Sequence, residues 1–146
     1  MIASNIGDGF IVAEEEVEAQ TRNGKQVLNL ASDCYAVKCC RVKGDHVAII
    51  SVSGKLLVFP VSELPEMVRG KGVRLQKYNE SKRRQRSLEF DRGLSDITTF
   101  NLSNGLSWPI GGGKVRTETD MTPWVAKRAS VGKKTPHGFP KKNVFL

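Results

Sequence analysis

Nowhere in these 146 residues does an apolar run approach the roughly 18 residues that a membrane-spanning helix needs, and Met1–Phe10 has neither a basic leader nor an apolar stretch behind one. A soluble, cytoplasmic chain with no membrane partner is expected. Cysteine is scarce and odd in number. Cys34, Cys39 and Cys40 do not suit a disulfide framework, and even with His46 they lack the paired spacing of a zinc site, so reduced, partly buried thiols are expected. Only His46 and His137 offer imidazoles, and no acid–base pair accompanies them, which argues against a hydrolytic centre. Gly111-Gly112-Gly113-Lys114 fails as a phosphate loop, because Val115 replaces the needed Ser or Thr and Trp108 stands where the first glycine belongs. Tyr35 and Tyr78 are expected to pack and not to act as nucleophiles, and Trp108 and Trp124 to fill or cap a core. No catalytic residue, metal or cofactor is expected.

What the chain does have is positive charge, +8 formally with a pI near 9.6, on an otherwise ordinary composition of 39% hydrophobic and 26% charged residues. A single domain spanning residues 1–146 is expected, with a polyanion as the likeliest large partner. The charge is localised. Through Val68, six Lys or Arg face nine Asp or Glu, whereas Arg69–Arg92 has nine against three and Lys114–Lys142 eight against two. Within the first basic block, Glu66–Tyr78 joins Arg69-Gly70-Lys71-Gly72 to a strand-like stretch carrying Arg74 and Lys77. Glycine admits close backbone approach, and the flanking cations favour a phosphate backbone there.

The regular structure signalled is β. Gly7-Asp8-Gly9 reads as a turn ending a lead-in, with a strand from Phe10. Asn23-Gly24 between Val17–Thr21 and Gln26–Leu30 reads as a hairpin, although Glu14-Glu15-Glu16 also suits a short helix. Val47–Val52 and Leu56–Pro60 flank Gly54-Lys55, and Leu106–Ile110 and Val115–Thr117 flank Gly113-Lys114, so three hairpins turn on Gly-Lys. Val61–Pro65 followed by Arg69-Gly70-Lys71-Gly72 is echoed by Thr119–Pro123 followed by Val131-Gly132-Lys133-Lys134. This is a degenerate repeat of a hairpin unit, and stacking such units buries their apolar faces and brings equivalent turns to one basic rim. Residues 79–92, with Lys82-Arg83-Arg84-Gln85-Arg86, read as a flexible basic insert, and residues 130–146 as an extended basic tail.

Phe10–Glu16, Asn23–Leu28, Gly44–Ala48, Lys55–Pro60, Glu63–Tyr78 and Gly138–Asn143 together resemble the C-terminal region of bacterial type IIA topoisomerase A subunits, that of topoisomerase IV first and of DNA gyrase second. The resemblance spans most of the chain outside the insert. It implies an all-β, partial β-pinwheel, a propeller-like array of hairpin blades with DNA bent along a basic outer rim. In that family the region is non-catalytic and serves ATP-dependent strand passage in the full enzyme. The partners implied are duplex DNA, the ATPase B subunit of a heterotetramer and the remainder of the A subunit. Gyrases carry Gln-Arg-Arg-Gly-Gly-Lys-Gly, and only Arg69-Gly70-Lys71-Gly72 matches its end, which implies a holder of DNA and not an active wrapper. At about 40–50 residues per blade, two or three blades are expected, as in a truncated or split gene product.

The expected DNA-binding residues are Arg69, Lys71, Arg74 and Lys77, joined on the hairpin rim by Arg22, Lys25, Lys55, Lys114 and Arg116. Two rivals stand beside this reading. One is a basic β-rich module for acidic protein or RNA, the RNA version disfavoured by only 7% aromatics for base stacking. The other is an inactive fragment.

Overall fold

The pattern of the molecule is set at its first residues. In the computed structural model, which describes residues 1–78 and 93–145, β1 (Ile2–Ser4) and β2 (Asp8–Phe10) pair antiparallel, with Ile2 opposite Phe10. Gly7 closes their turn at φ +83°, its N–H donating to the Ser4 carbonyl at 3.0 Å. The same device recurs between β4 (His46–Ser51) and β5 (Lys55–Pro60), where Gly54 at φ +85° donates to the Ser51 carbonyl at 3.0 Å. A third hairpin, β8 (Leu106–Gly111) and β9 (Lys114–Glu118), turns through Gly111-Gly112-Gly113, all at positive φ. Positive φ at these turns is what makes glycine the fitting residue.

Each of the first two hairpins is completed by strands from further along the chain. β3 (Ala36–Cys39) pairs with β1 and β6 (Val73–Arg74) with β2, while β7 (Leu94–Phe100) pairs with β4 and β10 (Lys133–Lys134) with β5. The orders β3-β1-β2-β6 and β7-β4-β5-β10 are one blade built twice. The hairpin β8–β9 is two-stranded among the described residues. The echoed segments match too. Short 3-10 turns at Val61–Glu63 and Thr122–Trp124 precede equivalent parallel bridges, Ile11 to Glu66 and Val58 to Val125.

Strand alternation explains the stacking. Val47, Ile49, Leu57 and Phe59 project to one side of the middle sheet and pack with Met1, Ala3 and Leu75. Ala48, Ile50, Leu56 and Val58 project to the other and pack with Leu106, Trp108, Met121 and Phe145. Buried on both faces, β4 and β5 read as continuous apolar runs. Their eight core side chains are 0% exposed, each worth about 1.5–3 kcal/mol for the larger ones relative to exposure. The all-β array of hairpin blades expected from the sequence is thus the architecture.

Several local expectations are corrected. The first hairpin is Ile2–Phe10, not a lead-in followed by a strand from Phe10. Asn23-Gly24 does not turn a hairpin: Glu14–Val17 forms a one-turn helix, α1, and no strand is assigned from Glu18 to Tyr35. Val17–Leu30 has no buried residue, and two strands without an apolar face to bury are marginal in water. Met1–Phe10 instead buries Ala3 and Phe10 completely. The strand expected over Val73–Tyr78 is limited to Val73–Arg74. The segment from Ser130 carries β10 and is tied to the body: Phe145 is buried, its N–H donates to Asp96 Oδ2 at 2.9 Å, and Ser95 Oγ donates to the Asn143 carbonyl at 2.8 Å. The expected insert at residues 79–92 lies outside the described residues.

Candidate nucleic-acid interface

Pairing register decides which cations meet. Lys55 opens β5 just after its turn glycine, and β10 sets Lys134 directly opposite it, with Lys133 opposite Leu56. Like charges in opposing positions of a sheet repel. In the first blade the equivalent pair is Asp8 and Arg74, joined at 3.3 Å between Arg74 Nε and Asp8 Oδ1. Asp8 is buried, so Arg74 neutralises a carboxylate in addition to showing a cation. A lysine after every hairpin glycine is therefore not the rule: the first hairpin has Asp8 there.

Leu75–Lys77 runs on from β6 into the second blade. Lys77 N–H donates to the Ser130 carbonyl at 3.0 Å, and Ala129, in the left-handed region at φ +69°, donates to the Leu75 carbonyl at 2.9 Å. Gln76, fully buried, donates through Nε2 to both the Lys55 and the Val131 carbonyls at 2.9 Å. That amide ties the backbones under Lys55, Lys77 and Lys133 together. Arg128 donates through Nη1 to the Arg74 carbonyl at 2.7 Å and through Nε to the Glu63 carbonyl at 3.0 Å. Trp124 Nε1 donates to the Lys134 carbonyl at 2.9 Å, holding β10 from its far side. Lys55, Lys77, Lys133 and Lys134 are exposed, and among the described residues no carboxylate lies within 4.0 Å of their ammonium groups.

The structure therefore brings Arg74, Lys77 and Lys55 of the expected set to one junction of two blades. Arg69 and Lys71, both exposed, flank Gly70, which is clasped between the Val27 carbonyl and the Asn29 N–H at 3.0 and 2.9 Å. Arg22 and Lys25 sit on the segment leading into that clasp and not on a hairpin rim, and Lys25 pairs with Glu16 at 3.2 Å. Lys114 and Arg116 are exposed on the third hairpin. Arg116 lies opposite Trp108, and its guanidinium approaches Gly138, where an added Cβ would come within 2.8 Å of Nη1. Sequence reasoning passed over Lys133, Lys134 and Arg128 as site residues. The echo of Arg69-Gly70-Lys71-Gly72 in Val131-Gly132-Lys133-Lys134 was the available signal.

Of the groups weighed for chemistry, Tyr78 is set for packing. Burial pushes the Tyr78 hydroxyl far above its usual range, and the ring covers Gly7, whose Cβ would lie 2.6 Å from it. Tyr35, expected to pack, is instead 62% exposed. Burial also raises the Cys40 thiol, which makes it a poorer nucleophile. Among the described residues no three His, Cys, Asp or Glu side chains group as metal ligands, and no helix is long and apolar enough to cross a membrane.

Comparison with known proteins agrees with this architecture. The A subunit of DNA topoisomerase 4 from Rickettsia bellii (strain RML369-C) is 46% identical over 145 residues, which cover 99% of this chain and 18% of that protein. Its counterpart in Caulobacter vibrioides is 41% identical over the same length, with the same coverage. The chain thus spans less than a fifth of the curated relatives it matches. The solved C-terminal domain of E. coli ParC superposes with a TM-score of 0.73 at 22% identity, over 96% of this chain and 56% of that one. The C-terminal domain of DNA gyrase A gives 0.58 at 21%, over 73% and 34%. The family model described as the DNA gyrase C-terminal domain, beta-propeller, matches residues 1–37 and 45–81. With half of its residues under that model and the repeated blade under its fold, the chain belongs to the DNA gyrase C-terminal beta-propeller family.

Proposed function

We propose that this chain is a non-catalytic module that binds and bends duplex DNA for a topoisomerase IV type of A subunit. The observation that carries the reading is the register of β5 and β10, which sets Lys55 opposite Lys134 with no carboxylate at either among the described residues. Two ammonium groups held side by side are relieved by an anion between them, and Lys77 and Lys133 enlarge the same positive surface. A duplex phosphate backbone, with regularly spaced single charges, is the anion that suits such a row, and it needs no base-specific donors. Exposed Arg69, Lys71, Lys114 and Arg116 extend the contact to the neighbouring blades. In this reading the module serves strand passage in the cytoplasm, in a complex with the rest of the topoisomerase and its ATPase B subunit, and the likeness to topoisomerase 4 A subunits is what supports it. The module supplies grip and curvature, and no cofactor.

Arg74 is a poor probe of this reading, because reversing its charge would strand the buried Asp8 beside a second carboxylate. Lys55→Glu, Lys77→Glu and Lys134→Glu together are the better one. Fluorescence anisotropy on a labelled duplex should show log K falling by about 0.9 per neutralised phosphate as log salt rises. The triple variant should lose most of the binding and flatten the salt slope by about 3, roughly 1 per phosphate-contacting lysine removed. Wild-type affinity in that variant overturns the proposal, as does preference for RNA or single strands over duplex in competition.

A further inference from the structure

The basic surface has two parts that the strands leave separate: Lys55 and Lys134 where two blades meet, and Lys114 and Arg116 on the third hairpin. Residues 136–143 touch both. The backbone there makes two turns in succession, closed by Phe139 N–H to the Pro136 carbonyl at 3.2 Å and by Asn143 N–H to the Pro140 carbonyl at 3.0 Å. His137 and Gly138 are the central residues of the first turn, Lys141 and Lys142 of the second, and both lysines are exposed.

Each turn is fixed to the body. Trp108 Nε1 donates to the Gly138 carbonyl at 3.2 Å, and the Phe139 ring lies 5.2 Å from that of Trp108 and 5.8 Å from that of Phe145, centre to centre. Gly138, at φ +83° and without a Cβ, leaves room for the Arg116 guanidinium beside the first turn. At the second turn Asn143, left-handed at φ +53°, donates through Nδ2 to the Val52 carbonyl at 3.1 Å. Its side-chain oxygen would be 3.8 Å from a Cβ on Gly54, and its carbonyl accepts from Ser95 Oγ at 2.8 Å. Val52 and Gly54 belong to the turn that Lys55 follows, so the lysine pair is seated on the tip of the β4–β5 hairpin.

Among the described residues no carboxylate lies within 4.0 Å of Lys141, Lys142 or Arg116. Two neighbouring ammonium groups on a fixed turn repel each other, and an anion relieves them. Held in place beforehand, they also lose less freedom on binding than lysines of a loose tail would.

We propose that residues 136–143 bridge the two basic regions into one track for a duplex backbone, with Lys141 and Lys142 contacting phosphate and Asn143 positioning them. This rests on the duplex-binding reading above and extends it by naming the path from Arg116 to Lys55.

Fluorescence anisotropy on a labelled duplex, with the full chain, tests it. Lys141→Gln with Lys142→Gln should weaken binding about tenfold at fixed salt and flatten the salt slope by about 2, roughly 1 per lysine removed. Asn143→Gly keeps the left-handed backbone and both lysines and loses the Val52 clamp. It should weaken binding about threefold with the slope retained, because the charges remain but are no longer pre-placed. Lysine acetylation read by mass spectrometry should show Lys141 and Lys142 protected by duplex together with Lys55. Wild-type affinity and slope in the double lysine variant, while the Lys55, Lys77 and Lys134 triple variant fails to bind, overturns the bridge and leaves the duplex-binding reading standing. So does equal acetylation of Lys141 and Lys142 with and without duplex. Wild-type affinity in Asn143→Gly overturns the positioning role. A wild-type chain that binds no duplex overturns the functional reading and the bridge together.

Discussion

At the scale of single residues, Gln76 does more for the basic surface than its sequence neighbourhood suggests. Its amide donates to the carbonyls of Lys55 and Val131, one on each of the two segments that present lysines, and its Oε1 has no partner among the described residues. Gln76→Leu keeps the volume but removes both donors, and should lower stability by about 1–3 kcal/mol in urea denaturation. Gln76→Glu should be worse, because a carboxylate would then be buried facing two carbonyl oxygens. Stability of Gln76→Glu equal to that of wild type would show that the two carbonyls find other donors. Nothing in the sequence marks Gln76, since a glutamine in a basic stretch reads as solvated. Lys55, by contrast, was legible because charge next to a turn glycine is a local signal, and Lys77 because it belongs to the basic strand-like stretch that follows Gly72.

At the scale of the element, two-residue strands carry the organisation. β6 and β10 show no hydrophobic period that would reveal them, and what makes them possible is the glycine before each. Gly72→Ala combines a left-handed backbone with a Cβ 2.3 Å from a backbone oxygen, so β6 must shift away from β2. Among the described residues Gly24→Ala meets only the backbone strain, about 1–2 kcal/mol. Chemical denaturation of the isolated chain should therefore rank Gly72→Ala well below Gly24→Ala in stability, and equal losses would mean that β6 is not pinned at Gly72. The same elements explain the failed hairpin at Asn23-Gly24. An Asn-Gly turn is a strong local signal, but strands without a face to bury are not held by the turn alone.

At the scale of the whole molecule, Asp96 links the two complete blades and the C-terminal segment. Its carboxylate accepts from Lys38 Nζ of β3 at 2.6 Å, from the Ile97 N–H at 2.9 Å and from the Phe145 N–H at 2.9 Å. Asp96 is 6% exposed, and Asp96→Ala leaves a part-buried ammonium and a buried N–H without acceptors. A loss of about 3–5 kcal/mol is expected for breaking a buried pair in this way. Hydrogen exchange should show the Phe145 amide among the first to lose protection. A variant as stable as wild type would mean that the blades and the final segment hold together by apolar contact alone.

Two kinds of information are separable here. Strand alternation, the turn glycines and the uneven placement of lysine and arginine are local properties, and by themselves they determined hairpin units, an all-β array and a basic surface. Which strand completes which hairpin was decided only by tertiary structure. Backbone hydrogen bonds are nearly indifferent to side-chain identity, and β3, β6, β7 and β10 find partners dozens of residues away. The meeting of Lys55 with Lys134 follows from that pairing, so the site's central pair became visible only once β10 was set against β5.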